Sequence, residues 1–113
     1  MKFLLAILVS TFLISNTQAV ECSGEVRELV NNETIVTKAA LIDQNYPTVT
    51  KLELDINDAY FSAQINSDDV LAIISLGPDY TTGNLSNSSF NSFGHLKLSY
   101  VTSNRTFILE CQK

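Results

Sequence analysis

Thr48-Val49-Thr50-Lys51-Leu52-Glu53-Leu54-Asp55-Ile56 decides the fold. Leu52, Leu54 and Ile56 fall on one face, and Lys51, Glu53 and Asp55 on the other. Such a period of two marks a strand with one face buried. After Asn57-Asp58, the pattern resumes: Ala59, Phe61, Ala63 and Ile65 alternate with Tyr60, Ser62 and Gln64. Toward the C-terminus, Leu96, Leu98 and Tyr100 alternate with Lys97 and Ser99, and Phe107, Leu109 and Cys111 share a face. Thr34 to Ile42 and Val70 to Leu76 are more continuously apolar and read as central strands covered on both sides. Glu21 to Leu29 gives a weaker first strand.

Between these runs lie Asn31-Asn32-Glu33, Asp43 to Pro47, Asn57-Asp58, Asn66 to Asp69 and Ser103-Asn104-Arg105. Asn, Asp and Ser bond their own backbone and tolerate left-handed geometry, so these segments read as turns. Beyond the N-terminal leader, no window holds apolar residues at helical spacing for three turns. Thr34-Ile35-Val36-Thr37 weighs against a helix where one is otherwise conceivable, because β-branched side chains are stiff at χ1. The expectation is an all-β domain: a small antiparallel sandwich or barrel of about seven strands.

The two cysteines, Cys22 and Cys111, stand near opposite ends of this pattern. Only one internal pairing exists, and it joins the first and last strands. Both Cα atoms must then come within about 7 Å.

The first nineteen residues are set apart. Met1-Lys2 is a positive start, Phe3 to Ile14 is apolar apart from Ser10 and Thr11, and Ser15 to Gln18 leads to Ala19. That order of charge, apolar stretch and small residues is the layout of a secretory signal peptide, removed to leave residues 20–113 as one domain. A twelve-residue apolar run rises only about 18 Å as a helix, short of a hydrocarbon core of roughly 30 Å. Glu21 before Cys22 argues against a lipid-bearing cysteine. The expected destination is an oxidising compartment, periplasmic or extracellular, with no membrane span in the mature chain.

The 113 residues carry 7 Lys+Arg against 12 Asp+Glu, a net charge of -5. Loss of Lys2 makes the mature domain one unit more negative. A chain of this sign does not suit nucleic acid, where phosphates reward a basic face. One His and one Cys pair exclude the familiar His/Cys metal sites, and no cofactor is expected. Asp55, Asn57, Asp58, Asp68 and Asp69 cluster in turns, but lack the glycine and closing Glu of a calcium loop.

Gly77 to Gly94 reads as a long connection without structure of its own, rich in Asn, Ser and Gly and carrying Tyr80, Phe90 and Phe93. Rigid aromatics among small polar residues are the composition of a binding loop. Tyr80, Asn84, Asn87, Phe90 and Phe93 are therefore the candidate contact residues, with another protein as partner. His95 is the one histidine available to a serine nucleophile, yet no G-x-S-x-G elbow accompanies it. Asn-x-Ser/Thr triplets begin at Asn32, Asn84, Asn87 and Asn104, and are glycan acceptors in a eukaryotic secretory route. The leading expectation is a secreted binding or inhibitory module acting through residues 78–94. A structural subunit that pairs through an exposed edge strand is the alternative, and a small hydrolase the third reading.

Overall fold

The structure, a computed structural model, describes residues 20–113. The expected leader, residues 1–19, lies outside the described residues. Nine strands form: β1 (Glu21–Val30), β2 (Glu33–Ala40), β3 (Ile42–Asp43), β4 (Thr50–Ile56), β5 (Ala59–Asn66), β6 (Asp69–Leu76), β7 (Thr82–Ser89), β8 (His95–Val101) and β9 (Arg105–Gln112). They pair antiparallel in two sheets, β2-β1-β9-β8 and β3-β4-β5-β6-β7.

The order is a meander bent over on itself. Successive strands pair with one another except at two corners. The chain passes from one sheet to the other at Leu41, between β2 and β3, and again between β7 and β8. The last strand closes the circuit by pairing with the first. Two-residue hairpins hold the register: Asn31-Asn32 and Asn57-Asp58 all have positive φ, between 49° and 65°. That is the turn whose twist matches the flanking strands, and Asn and Asp accept it with little strain.

The alternation read from sequence fills the core. Phe61, Ala63 and Ile74 from one sheet meet Val26, Phe107 and Leu109 from the other, all buried. The sheets approach closely at Gly24, where an added Cβ would stand 2.7 Å from the Phe61 ring. Cys22 and Cys111 are opposite one another on β1 and β9, with Cα atoms 4.0 Å apart, and are disulfide-bonded. The bond thus joins the first and last strands on their core face.

Two expectations from the sequence are corrected. Thr34 to Ile42 is not a central strand. Most of it is β2, which lies at the edge of its sheet, with Ile35 and Val36 half exposed. Its apolar run marks an uncovered strand, not one covered twice. The long connection Gly77 to Gly94 contains β7, which pairs with β6 over Thr82 to Ser89. Its side chains show no apolar alternation because those that face inward, Thr82, Asn84, Ser86 and Ser88, lie at the open margin of the sandwich.

Candidate functional site

β7 separates the aromatics of the 78–94 segment. Tyr80 precedes this strand and Phe90 and Phe93 follow it, so about 27 Å of extended chain lies between them, at roughly 3.4 Å per residue over eight residues. Tyr80 shares its end with the Asn57-Asp58 turn, for Gly77 N donates to Asp58 O at 2.7 Å. At the other end Phe90 packs on the core beneath the Lys113 ammonium. Phe93 is 84% exposed at the turn before β8. Asn84 and Asn87 lie on opposite faces of β7: Asn84 inward, donating from Nδ2 to Ser99 O at 3.0 Å, and Asn87 outward and exposed. The five candidate contact residues thus do not share one surface.

The acidic candidates also divide. Asp55, Asn57 and Asp58 are at the Tyr80 end, whereas Asp68 and Asp69 are at the Phe93 end, across the length of β5. Asp68 pairs with Lys113, and Asp69 accepts from Ser89 Oγ at 3.4 Å. Among the described residues no three metal-binding side chains gather. His95 Nε2 lies 2.6 Å from Glu110 Oε2 on the outer face of β8 and β9. This contact, more than the partial burial opposing it, holds the Glu110 carboxyl below its ordinary range. No serine hydroxyl bonds to His95 among the described residues. An open groove of about 800 Å³ beside the disulfide is lined by Leu41 and Leu52 together with Lys38, His95 and Glu110. His95 and Glu110 are already bonded to each other.

The feature that sequence reading missed is the free edge of β2. Its geometry follows from hydrogen bonds on β1. Leu41 N donates to Cys22 O, so Cys22 and every second residue after it turn their backbone groups toward β2. Leu29 N donates to Asn104 O, so the intervening residues turn the other way. By register, Glu33, Ile35, Thr37 and Ala39 bond to β1. The N–H and C=O groups of Thr34, Val36 and Lys38 then point out of the sheet, with no strand beside them among the described residues.

The side chains around this edge are apolar and uncovered. Leu29 is 54% exposed, Ile35 50% and Val36 54%. Natural sheets protect edges with prolines, bulges, short length or inward charges. β2 has eight residues, no Pro, no Gly and one Lys. On the opposite side β7 and β8 are edge strands too, and the Asn84 amide bridges one to the other. A composition signal for the free edge did exist. Thr34-Ile35-Val36-Thr37 is four β-branched residues in a row, yet such a run reads the same whether the strand is covered twice or left open. In comparisons with known proteins, no family model, no curated protein and no solved structure matched the chain.

Proposed function

We propose that the domain is a secreted protein-binding module that takes up an extended segment of a partner protein as an added strand on β2. The observation that carries this reading is the row of outward-facing backbone groups at Thr34, Val36 and Lys38, set among exposed Leu29, Ile35 and Val36. Main-chain bonds supply affinity in such docking, and side-chain pairs across the new strand boundary supply selection. Opposite pairs are each worth about 0.2–1 kcal/mol.

The chemistry of the edge describes the segment it fits. Val36 lies on the outer face between Thr34 and Lys38, and Ile35 on the inner face. Glu33 begins the strand and Lys38 lies near its end. The complementary segment is β-branched or apolar at its centre, basic where it passes Glu33 and acidic where it passes Lys38. The acidic balance of the whole domain favours a partner basic overall. The disulfide and the leader-like N-terminus support an oxidising location, extracellular or periplasmic.

The test uses residues 20–113 as bait in material from the protein's own source, beside a Val36→Pro variant. Proline removes the one N–H that Val36 directs outward and leaves the β1 ladder intact. The reading expects a partner that is captured by the native domain, lost by the variant, and that slows amide exchange at Thr34, Val36 and Lys38 in the complex. Equal capture by both, or protection confined to residues 78–94, returns the contact to the aromatic segment. Self-association of the native domain alone, lost in the variant, favours the structural-subunit reading.

A further inference from the structure

The four Asn-x-Ser/Thr triplets are equivalent in sequence and unequal in the fold. Asn32 is exposed at the tip of the β1–β2 turn, with φ 65°. Asn104 is exposed at the tip of the β8–β9 turn, and its carbonyl accepts from Leu29 N at 3.0 Å. That bond sets the second turn against β1, three residues before Asn32, or about 10 Å along an extended chain. Neither side-chain amide takes a hydrogen bond among the described residues. Asn87 is exposed on the outer face of the other sheet. Asn84 differs from all three, since its Nδ2 donates to Ser99 O at 3.0 Å and so ties β7 to β8.

We infer that Asn32 and Asn104 carry N-linked glycans when the chain passes through a eukaryotic secretory route, and that Asn84 does not. In the transfer, the amide Nδ2 attacks C1 of the first sugar of a lipid-diphosphate-linked oligosaccharide. The Nδ2–C1 bond forms, the C1–O bond breaks, the lipid diphosphate leaves, and the amide proton passes to a base of the transferring enzyme. Both reactants belong to that route, so the atoms balance without any further reagent.

A glycan is bulky and must end in solvent. At the two turns it does so with no change in the fold. At Asn84 the sugar would be attached to the nitrogen that donates to Ser99 O, on the inner face of β7 at its corner with β8. Modification there is expected to disturb that corner and to keep the modified form out of the secreted pool.

The inference is independent of strand addition, since occupancy is read without any partner. The full chain with its own leader is expressed in cultured eukaryotic cells, and secreted and cell-associated pools are collected separately. Enzymatic deglycosylation in heavy-oxygen water marks each occupied Asn, and peptide mass spectrometry locates the label. Label at Asn32 and Asn104, with none at Asn84 in the secreted pool, is the expected result. Thr34→Val and Thr106→Val should each remove one glycan, whereas Ser86→Ala, which destroys the Asn84 triplet but keeps the amide, should remove none. Label at Asn84 in secreted protein, or none at Asn32 and Asn104 in either pool, overturns the inference.

Discussion

Gly24 shows what a single residue does in this fold. It sits on β1 against the facing sheet, and an added Cβ would stand 2.7 Å and 2.8 Å from Phe61 ring carbons and 3.0 Å from Leu54 Cδ2. Phe61 is completely buried and cannot swing aside. Gly24→Ala is therefore expected to destabilise the domain by about 1–3 kcal/mol, the usual cost of overpacking a core. Chemical unfolding of the two proteins measures it. Glu110 is a second case, with a sign that can be worked out. His95 holds its carboxyl below the ordinary range in the folded state. A depressed folded value gives stability that is present above the unfolded carboxylate range, near pH 4.3, and lost as pH falls through the folded value. The pair is partly exposed, so its worth lies within the 0–1 kcal/mol or so of surface pairs. Glu110→Gln should be less stable than wild type at pH 6 and indistinguishable from it at pH 2. Urea unfolding at both values checks this, and a difference that persists unchanged at pH 2 would show that the ion pair is not its source.

At the scale of elements, alternation made β4, β5, β8 and β9 legible. Leu52, Phe61, Leu96 and Phe107 lie buried on the faces that period two assigns them. Asn31-Asn32 and Asn57-Asp58 became turns on the positive φ that those side chains accept, Ser67-Asp68 became a turn and Ser103-Asn104 a bend, whereas Asp43 ends β3. What stayed hidden was position within a sheet. β2 and β6 have similar apolar runs, yet β6 lies between two strands and β2 has one neighbour. β7 was illegible for the converse reason. Its pairing with β6 is made by backbone groups, and its Ser and Asn side chains advertise no buried face. The candidate edge was invisible for the same cause, since a free edge is a property of the partner strand's absence, not of residue type. The hydrogen-bond alternation on β2 makes a sharp prediction. Val36→Pro deletes an N–H that points to solvent, while Ile35→Pro deletes one that bonds to β1. Thermal unfolding should find the first close to wild type and the second destabilised by about 1–3 kcal/mol, the cost of leaving a ladder partner unpaired. Equal destabilisation by both would show that Val36 also bonds within the sheet.

For the whole molecule, the governing fact is closure. The first and last of the described strands are neighbours, and the Cys22–Cys111 bond spans 89 positions to fix them there. A crosslink over a loop of that length limits the unfolded chain and stabilises by about 4–5 kcal/mol in the chain-entropy view, an upper figure. For a domain this small that is a large share of a total of about 5–15 kcal/mol. The Cys22→Ala/Cys111→Ala double variant should unfold at a much lower urea concentration, with a steeper slope, because the uncrosslinked unfolded chain exposes more surface. A midpoint within error of wild type would mean that the sandwich is closed by packing alone. Closure still leaves edge strands, β2, β7 and β8 among them, and the account of function rests on β2, the one flanked by exposed Leu29, Ile35 and Val36.

Amide hydrogen exchange along β2, followed by NMR on residues 20–113, tests that claim most directly. The account predicts a two-residue rhythm in the free domain: Thr34, Val36 and Lys38 exchange fast, and Ile35 and Thr37 exchange slowly. On partner binding, the fast three should become slow. Uniform protection along β2 in the free domain would contradict the open edge itself. Fast exchange at Thr34, Val36 and Lys38 that persists in a saturated complex would contradict strand addition as the way this protein binds.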